Sequence, residues 1–275
     1  MAGESRTGGV AITGASGQVG TLLRRRLVDD ANRIVALNRG DDWGASVRSA
    51  EVVVHLAGTL QPKGSNTYEA ANVETTEAVA RAVSGGDVKR IAFLSYVGAD
   101  PDASNAYLRS KGRAETILEA TGVPVTIFRC VHIYGPPDHP GPTAGPFLAK
   151  GRGPVTVPGS GRQRIAPLYI GDVVEALLHA TLDPATPTGI FELGGPDEMS
   201  MDEFVRGLNR GQVRLVHLPP VVAHGLARLV PSLTPALMDL LLDDNVTSTN
   251  PGDVAGQFGT DLHHFGDVWP PHGTT

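Results

Sequence analysis

The segment Thr13-Gly14-Ala15-Ser16-Gly17-Gln18-Val19-Gly20 constrains this chain more than any other feature. It follows the apolar run Val10 to Thr13 and opens a helix-like stretch, the setting in which glycines at i, i+3 and i+6 serve a dinucleotide. Gly14 permits a tight turn, Gly17 lets backbone amides approach a pyrophosphate, and Gly20 lets the helix pack close to a sheet. The helix N-terminus adds the positive end of its dipole for the anion. Gly14, Ser16, Gly17, Gln18 and Val19 are therefore candidate cofactor contacts. The competing reading is an ordinary glycine-rich turn between a strand and a helix.

Around this loop the first half alternates short β-branched runs with helical stretches, which implies βαβ units and a parallel sheet covered on both faces. Strands are expected at Val10 to Thr13, Arg33 to Asn38, Val52 to Leu56, Ile91 to Ser95 and Val125 to Arg129. Helices are expected at Val19 to Asp29, Glu69 to Ser84 and Ala106 to Ala120. The fold class is α/β, a Rossmann-type doubly wound parallel sheet with a small C-terminal substrate lobe. The division places the dinucleotide-binding core at residues 8–157, returns about 165–192 to it, and leaves about 193–275 as a substrate or cap lobe.

Gly135 to Pro146 is too rich in turn formers for a regular element and reads as a loop near the site. Asp172 to Thr181 reads as a helix and Gly189 to Leu193 as a strand. A further helix begins near Ser200, which forms a capping box with Glu203. Beyond Pro251 the chain is glycine-rich with few apolar anchors and is expected to run over the surface.

A net charge of -6 with no basic run argues against a nucleic-acid surface. Arg24, Arg25 and Arg26 form the only basic cluster and read as a solvated helix face. The single cysteine, Cys130, excludes an internal disulfide and fits a reducing compartment, so a cytoplasmic location is expected. Met1 to Thr7 has no apolar core of a secretory signal. Val221 to Leu242 is interrupted by His224, Arg228, Pro231, Pro235 and Asp239, too often for a membrane span, and reads as an amphipathic helix pair covering a pocket. His263 and His264 lack a third ligand at metal spacing, so no metal is assigned.

Three further features carry chemistry. Arg39, at the end of the second strand, stands where an arginine would hold a ribose 2′-phosphate, which favours NADP; Asp41 or Asp42 on the adenosine side would leave NAD as the alternative. Tyr107 and Lys111, four apart on a helix, project from one face, and an ammonium beside a phenol is expected to lower the phenol's pKa for proton transfer. Ser95 ends a strand, where its hydroxyl is either a carbonyl-orienting group or an ordinary turn residue.

With these residues in place the chain resembles the extended and atypical short-chain dehydrogenase/reductases over about residues 8–205. The resemblance is carried by the glycine loop, His55-Leu56-Ala57-Gly58, Asn72-Val73-Glu74-Thr75-Thr76, Tyr107 to Lys111, Phe128 to Gly135 and Pro167 to Ala176. The order of the later segments looks like NAD-dependent epimerase/dehydratase proteins. Leu240 to Ser248 is similar to the NADPH-binding accessory subunit of respiratory complex I and its bacterial relatives.

The resemblance implies that Ala57 and Gly58 line the adenine-ribose side, that Leu56 and Asn72 also bind the cofactor, and that Tyr107 and Lys111 contact the nicotinamide ribose. It also implies that Val131 and His132 lie near the nicotinamide and that Arg164 meets substrate. Two departures stand out. Tyr96 occupies the position where the family has its catalytic serine or threonine, so Ser95 or Tyr96 supplies the hydroxyl, or redox chemistry has been lost. The segment from Arg39 to Val52 leaves little room for the usual third strand. The expected activity is an NADP-dependent oxidoreductase or epimerase acting on a small-molecule carbonyl, alcohol or sugar-like substrate. A non-catalytic NADPH-binding sensor or assembly protein and a redox-neutral biosynthetic enzyme are the alternatives, and a homo-oligomer stays open.

Overall fold

The computed structural model describes residues 7–28, 31–38, 41–151, 153–229 and 233–271. Arg39 and Pro231 lie outside them. In chain order, β1 (Thr7–Thr13) leads through the glycine loop into α1 (Gln18–Leu27), followed by β2 (Ala31–Leu37), α2 (Trp43–Arg48) and β3 (Val52–His55). A π-helical turn, Glu69–Glu74, runs on into α3 (Thr75–Val83). Then come β4 (Arg90–Tyr96), α4 (Ala106–Glu119), β5 (Val125–Cys130) and β6 (Ile133–Tyr134). Gly135 to Pro146, expected as an irregular loop, winds one helical turn, α5 (Gly141–Ala144), and a 3-10 turn, Gly145–Phe147. Pro142 and Pro146 sit in their first turns, where a missing N–H costs nothing.

The second half adds β7 (Val155–Pro158), β8 (Arg164–Ile165), β9 (Leu168–Tyr169), α6 (Ile170–Leu182), β10 (Gly189–Leu193) and β11 (Met199–Ser200). It continues with α7 (Met201–Leu208), β12 (Leu215–Leu218), α8 (Pro220–Leu229), α9 (Pro235–Leu242), α10 (Pro251–Gly256) and α11 (Phe265–Val268). The capping box of Ser200 and Glu203 closes the start of α7.

Six strands form one sheet in the order β10-β5-β4-β3-β1-β2, and every pairing is parallel. Strand alternation explains its two cores. Val10 and Ile12 enter one face with Val52 and Val54, against Leu23 and Leu27 of α1 and Val173 and Leu177 of α6. Ala11 and Val53 enter the other, with Ile91 and Phe93, against Val79 of α3 and Ala114 and Leu118 of α4. Among the described residues only α2 lies between β2 and β3, and β2 is the sheet edge. The order reverses at β1, and the crevice there opens at the C-terminal ends of β1 and β3, where ligands bind in such sheets.

A separate apolar cluster holds the second lobe, built from Tyr134, Phe147, Val157, Ile165, Phe204, Leu237 and Leu241. Helices α8 and α9 pack on each other through Ala223, Ala227 and Met238. The stretch beyond Pro251, expected on the surface, is instead docked. Phe258 is buried with its ring 4.7 Å from Phe128 and 5.0 Å from Phe191, and the Trp269 indole donates to the Gly135 carbonyl at 3.0 Å. The anchors are few, but each is large, and an aromatic side chain buries enough area to hold a short helix in place. No helix among the described residues is long and apolar enough to cross a membrane.

Candidate functional site

The glycine loop forms a cradle that side chains would fill. Gly14 has φ +66°, and a Cβ there would lie 2.7 Å from the backbone of Leu56 and Ala57. A Cβ on Gly20 would lie 2.6 Å from the Gly14 carbonyl oxygen. Gly17 caps α1 without any side-chain hydrogen bond, so the first amides of the helix are left to an external acceptor. These features fit a dinucleotide pyrophosphate. Arg24, Arg25 and Arg26 fall in the last turn of α1, with Arg26 paired to Glu175 at the surface.

A cleft of about 690 Å³ extends from the loop toward β2, lined by Ser16, Asn38, Trp43, Arg48 and Ala57 among others. Asn38 Oδ1 accepts from Ser16 N at 3.1 Å and ties the loop to the end of β2. Asp41 accepts from Asn38 N at 2.7 Å, and Asp42 caps α2 through Gly44 N at 2.9 Å. Both acids on the adenosine side thus hold backbone.

On the other side lies a cleft of about 530 Å³, sharing Gly14, Gly17, Leu56 and Gly58 with the first. Gln18, Val19, Asn72, Tyr107, Lys111, Val131 and His132 line it, so the expected contacts from five separate stretches of sequence converge here. Asn72 is buried; its Oδ1 accepts from Thr59 N at 2.8 Å and its Nδ2 donates to Ser110 Oγ at 2.8 Å. It joins the π-helical turn to α4 beneath the site.

The electrostatics of the Tyr107 and Lys111 pair differ from expectation. Asn105 caps α4 at Tyr107 N, and both side chains are buried. Lys111 Nζ donates to the Leu94 carbonyl at 2.5 Å and lies 4.1 Å from the centre of the Phe93 ring. Burial lowers Lys111 to about 8, against the opposing pull of Glu115. Burial, with Tyr68 and Cys130 adding to it, raises the Tyr107 phenol above its ordinary value. The expected lowering is absent because the ammonium is directed at the sheet backbone and desolvation governs the phenol.

The two candidate hydroxyls part company at the end of β4. Ser95 follows Ile91 and Phe93 onto the α4 face, where its hydroxyl donates to Glu115 Oε1 at 2.5 Å. Arg129, opposite Ser95 in the register, grips the same carboxylate with Nε at 3.0 Å and Nη2 at 2.5 Å. Both residues line the cleft, but the Tyr96 ring lies 5.4 Å from that of Tyr107. The Tyr96 hydroxyl shares a 2.8 Å hydrogen bond with Nδ1 of His132. Burial lowers His132 to about 4, with the Leu240 carbonyl opposing, so the imidazole is neutral.

Sequence reasoning missed the polar chain behind the loop. His55 is buried between Thr13 Oγ1 at 2.6 Å and Thr76 Oγ1 at 2.9 Å and stacks on Phe93. Thr76 donates to the Asn72 carbonyl at 2.5 Å, and Thr13 Oγ1 accepts from Ala57 N at 3.3 Å. Burial lowers His55 to about 3, so it works as a neutral bridge. Asn245, also missed, accepts from His132 N at 2.6 Å. Its only signal was its place within Leu240 to Ser248.

Arg164 is not brought to the cleft. Its side chain is 61% exposed and pairs with Glu198, while its amide donates to Asp244 at 2.7 Å. The β8 and β11 pairing sets Arg164 opposite Ser200.

The model of the NAD dependent epimerase/dehydratase family matches residues 10–194, more than half of the chain. A ceramide reductase of Caulobacter vibrioides is 29% identical over 246 residues, covering 80% of this chain and 76% of that protein. The 40 kDa subunit of mitochondrial NADH-ubiquinone oxidoreductase from Neurospora crassa is 27% identical over 76% of this chain and 62% of its own length, so the chain spans less than two thirds of that relative.

A human epimerase family protein solved with NADPH superimposes with a TM-score of 0.71 at 19% identity, covering 95% of this chain and 97% of that one. A UDP-glucuronic acid 4-epimerase from Bacillus cereus solved with NAD gives 0.64 at 16%, covering 91% and 98%. At such identities these structures attest the fold, a Rossmann-type α/β sheet.

Proposed function

The chain belongs to the NAD dependent epimerase/dehydratase family, and from that membership we propose that it is an NADP-dependent oxidoreductase or epimerase of a small carbonyl, alcohol or sugar-like substrate. The observation that carries this reading is the convergence of buried Tyr107 and Lys111 on the cleft that begins at the glycine loop. The nicotinamide supplies the hydride. The amides at the start of α1 hold the pyrophosphate. Lys111 has three N–H donors, and its bond to the Leu94 carbonyl leaves two for the ribose. Tyr107, held as a phenol by burial, protonates the oxygen of a carbonyl under reduction. Ser95 and Tyr96 both line the cleft, but the Ser95 hydroxyl is held by Glu115 while the Tyr96 ring packs beside Tyr107.

The preference for NADP over NAD rests on Arg39. Calorimetric titration with NADPH and NADH tests it: Arg39→Ala weakens NADPH about 10- to 100-fold, the loss of one charge-assisted phosphate contact, and leaves NADH nearly unchanged. Equal binding of both cofactors to wild type would remove the preference. Turnover is tested by nicotinamide absorbance with carbonyl and alcohol candidates, where Tyr107→Phe lowers kcat at least a hundredfold without loss of cofactor binding.

A second reading, a non-catalytic NADPH-binding protein acting in sensing or assembly, is favoured by one observation. Ser95 is committed to Glu115, and Tyr96 to His132. Tight cofactor binding with no turnover on any candidate, and Tyr107→Phe without effect, would support it.

A further inference from the structure

We propose that the Tyr107 side of the cleft takes an uncharged substrate carrying an apolar chain or ring, and not a nucleotide-sugar. The inference rests on the reading of this cleft as the substrate end of a cofactor site, and it follows from what the walls can recognise. A nucleotide-sugar carries a diphosphate, and a site that holds one supplies arginine forks, other cations or converging amides. Among the described residues lining this cleft, Lys111 is the only lysine or arginine and there is no carboxylate. That lysine donates to the Leu94 carbonyl, and in the reading above its two other donors go to the cofactor ribose. The imidazole of His132 is neutral, since burial lowers it to about 4.

The nearest sequence candidate for an anion, Arg164, is paired with Glu198 at the surface. Arg206, further along the same lobe, is paired with Asp202. A sugar ring also needs partners for each hydroxyl, and here too the walls are poor. Thr143 spends its hydroxyl on the Ile133 carbonyl. Asn72 and Ser95 are held by their own partners, and Gln18, Thr59, His132 and Tyr134 are the other polar side chains; the rest of the wall is apolar and aromatic, with Leu60, Leu94, Val131 and Ile133 beside the rings of Tyr96 and Tyr107. Ala236 and Leu240 of α9 pack behind those rings together with Leu60. Such a surface gains affinity by covering methylenes and not by pairing charges.

The test is calorimetric titration of the full chain, with and without saturating NADPH, using the ketones from 2-pentanone to 2-decanone and, separately, UDP-glucose. Each added methylene is expected to tighten binding about three- to fourfold until the chain leaves the cleft, and UDP-glucose gives no binding. Leu60→Ala, a partly buried position that tolerates truncation, weakens 2-decanone about five- to tenfold and leaves 2-pentanone unchanged. NADPH binding with a flat ketone series, or binding of UDP-glucose, overturns this inference while the cofactor reading stands. A chain-length series without any NADPH or NADH binding overturns the cofactor reading and leaves the apolar site in place. If neither ketones nor cofactor bind, both fall.

Discussion

The Tyr96 hydroxyl lies 2.8 Å from Nδ1 of His132, and this contact joins the end of β4 to the segment that follows β5. His132 N donates to Asn245 Oδ1 at 2.6 Å, and Asn245 in turn receives Ala166 N at 3.0 Å and donates to the Arg164 carbonyl at 2.7 Å. In the tautomer protonated at Nε2, Nδ1 accepts from the phenol, and Tyr96 has no proton left for a substrate. Moving the ring proton to Nδ1 reverses the bond and frees the phenolic O–H. The direction of one hydrogen bond therefore separates a catalytic Tyr96 from a purely positioning one.

Acid stability follows from the same burial. His132 and His55 are lowered from 6.5 to about 4 and about 3. Below pH 6.5 the unfolded chain binds protons that these rings refuse in the fold, so their contribution is full above pH 6.5 and is lost as pH falls toward 4. The slope is at most about 1.4 kcal/mol per pH unit for each histidine. Urea unfolding between pH 7 and pH 4.5 is expected to show it, with His132→Gln removing close to half of the histidine share. An unchanged slope in that variant would mean the ring is already charged.

Ser95 and Glu115 make a structural unit, and their variants separate structure from catalysis. Glu115 is 4% exposed and holds both Ser95 and Arg129. Glu115→Ala leaves Arg129 without its carboxylate and is expected to cost about 3–5 kcal/mol of unfolding free energy. Ser95→Ala removes one hydrogen bond to a charged group, about 1–3 kcal/mol, and keeps kcat within twofold. A hundredfold fall in kcat for Ser95→Ala, with folding intact, would return Ser95 to the catalytic set.

What could be read from the sequence was whatever depends on near neighbours in the chain. The glycine loop declares itself through spacing, and Tyr107 and Lys111 need only a helix to be neighbours. The commitment of Ser95 was also within reach, because Ile91, Phe93 and Ser95 share a strand face and Glu115 lies four residues after Lys111 on α4. The bridge from Thr13 through His55 to Thr76 was not, since its three members come from β1, β3 and α3 and each alone is an unremarkable polar residue. The phenol's pKa was misjudged because spacing reveals a charge four residues away but not how much water is excluded from both groups. Arg164 was placed by resemblance alone, and its partner Glu198 lies on the neighbouring strand segment, which only the fold brings close.

Gly14 and Gly17 are expected to fail differently when given a methyl group. At Gly14 the positive φ and a Cβ only 2.7 Å from the backbone of Leu56 and Ala57 make alanine a folding defect. Gly14→Ala should lower stability by more than about 2 kcal/mol. At Gly17 the added Cβ meets only the Gly14 carbonyl, at 3.2 Å, and would stand at the mouth of the amide cradle. Gly17→Ala should keep its unfolding midpoint nearly intact and weaken NADPH by tenfold or more. Equal losses of stability in the two variants would contradict this division.

Phe258 decides whether the C-terminal stretch is part of the core or a strap laid across it. Its ring is 1% exposed and meets Phe128 and Phe191 in edge contacts, with His179 at 6.0 Å. Val254 and Ala255 of α10 enter the same cluster as Val10 and Ile12 of β1. Removing the ring therefore opens a cavity against β5 and β10, at about 3–5 kcal/mol for Phe258→Ala. Leu keeps much of the volume and loses the edge contacts, so Phe258→Leu should cost about 1–2 kcal/mol. Because Phe258 lines neither cleft, cofactor affinity measured well below the melting temperature should be unchanged in both variants. A stretch lying loosely on the surface would instead give losses below about 0.5 kcal/mol for either substitution.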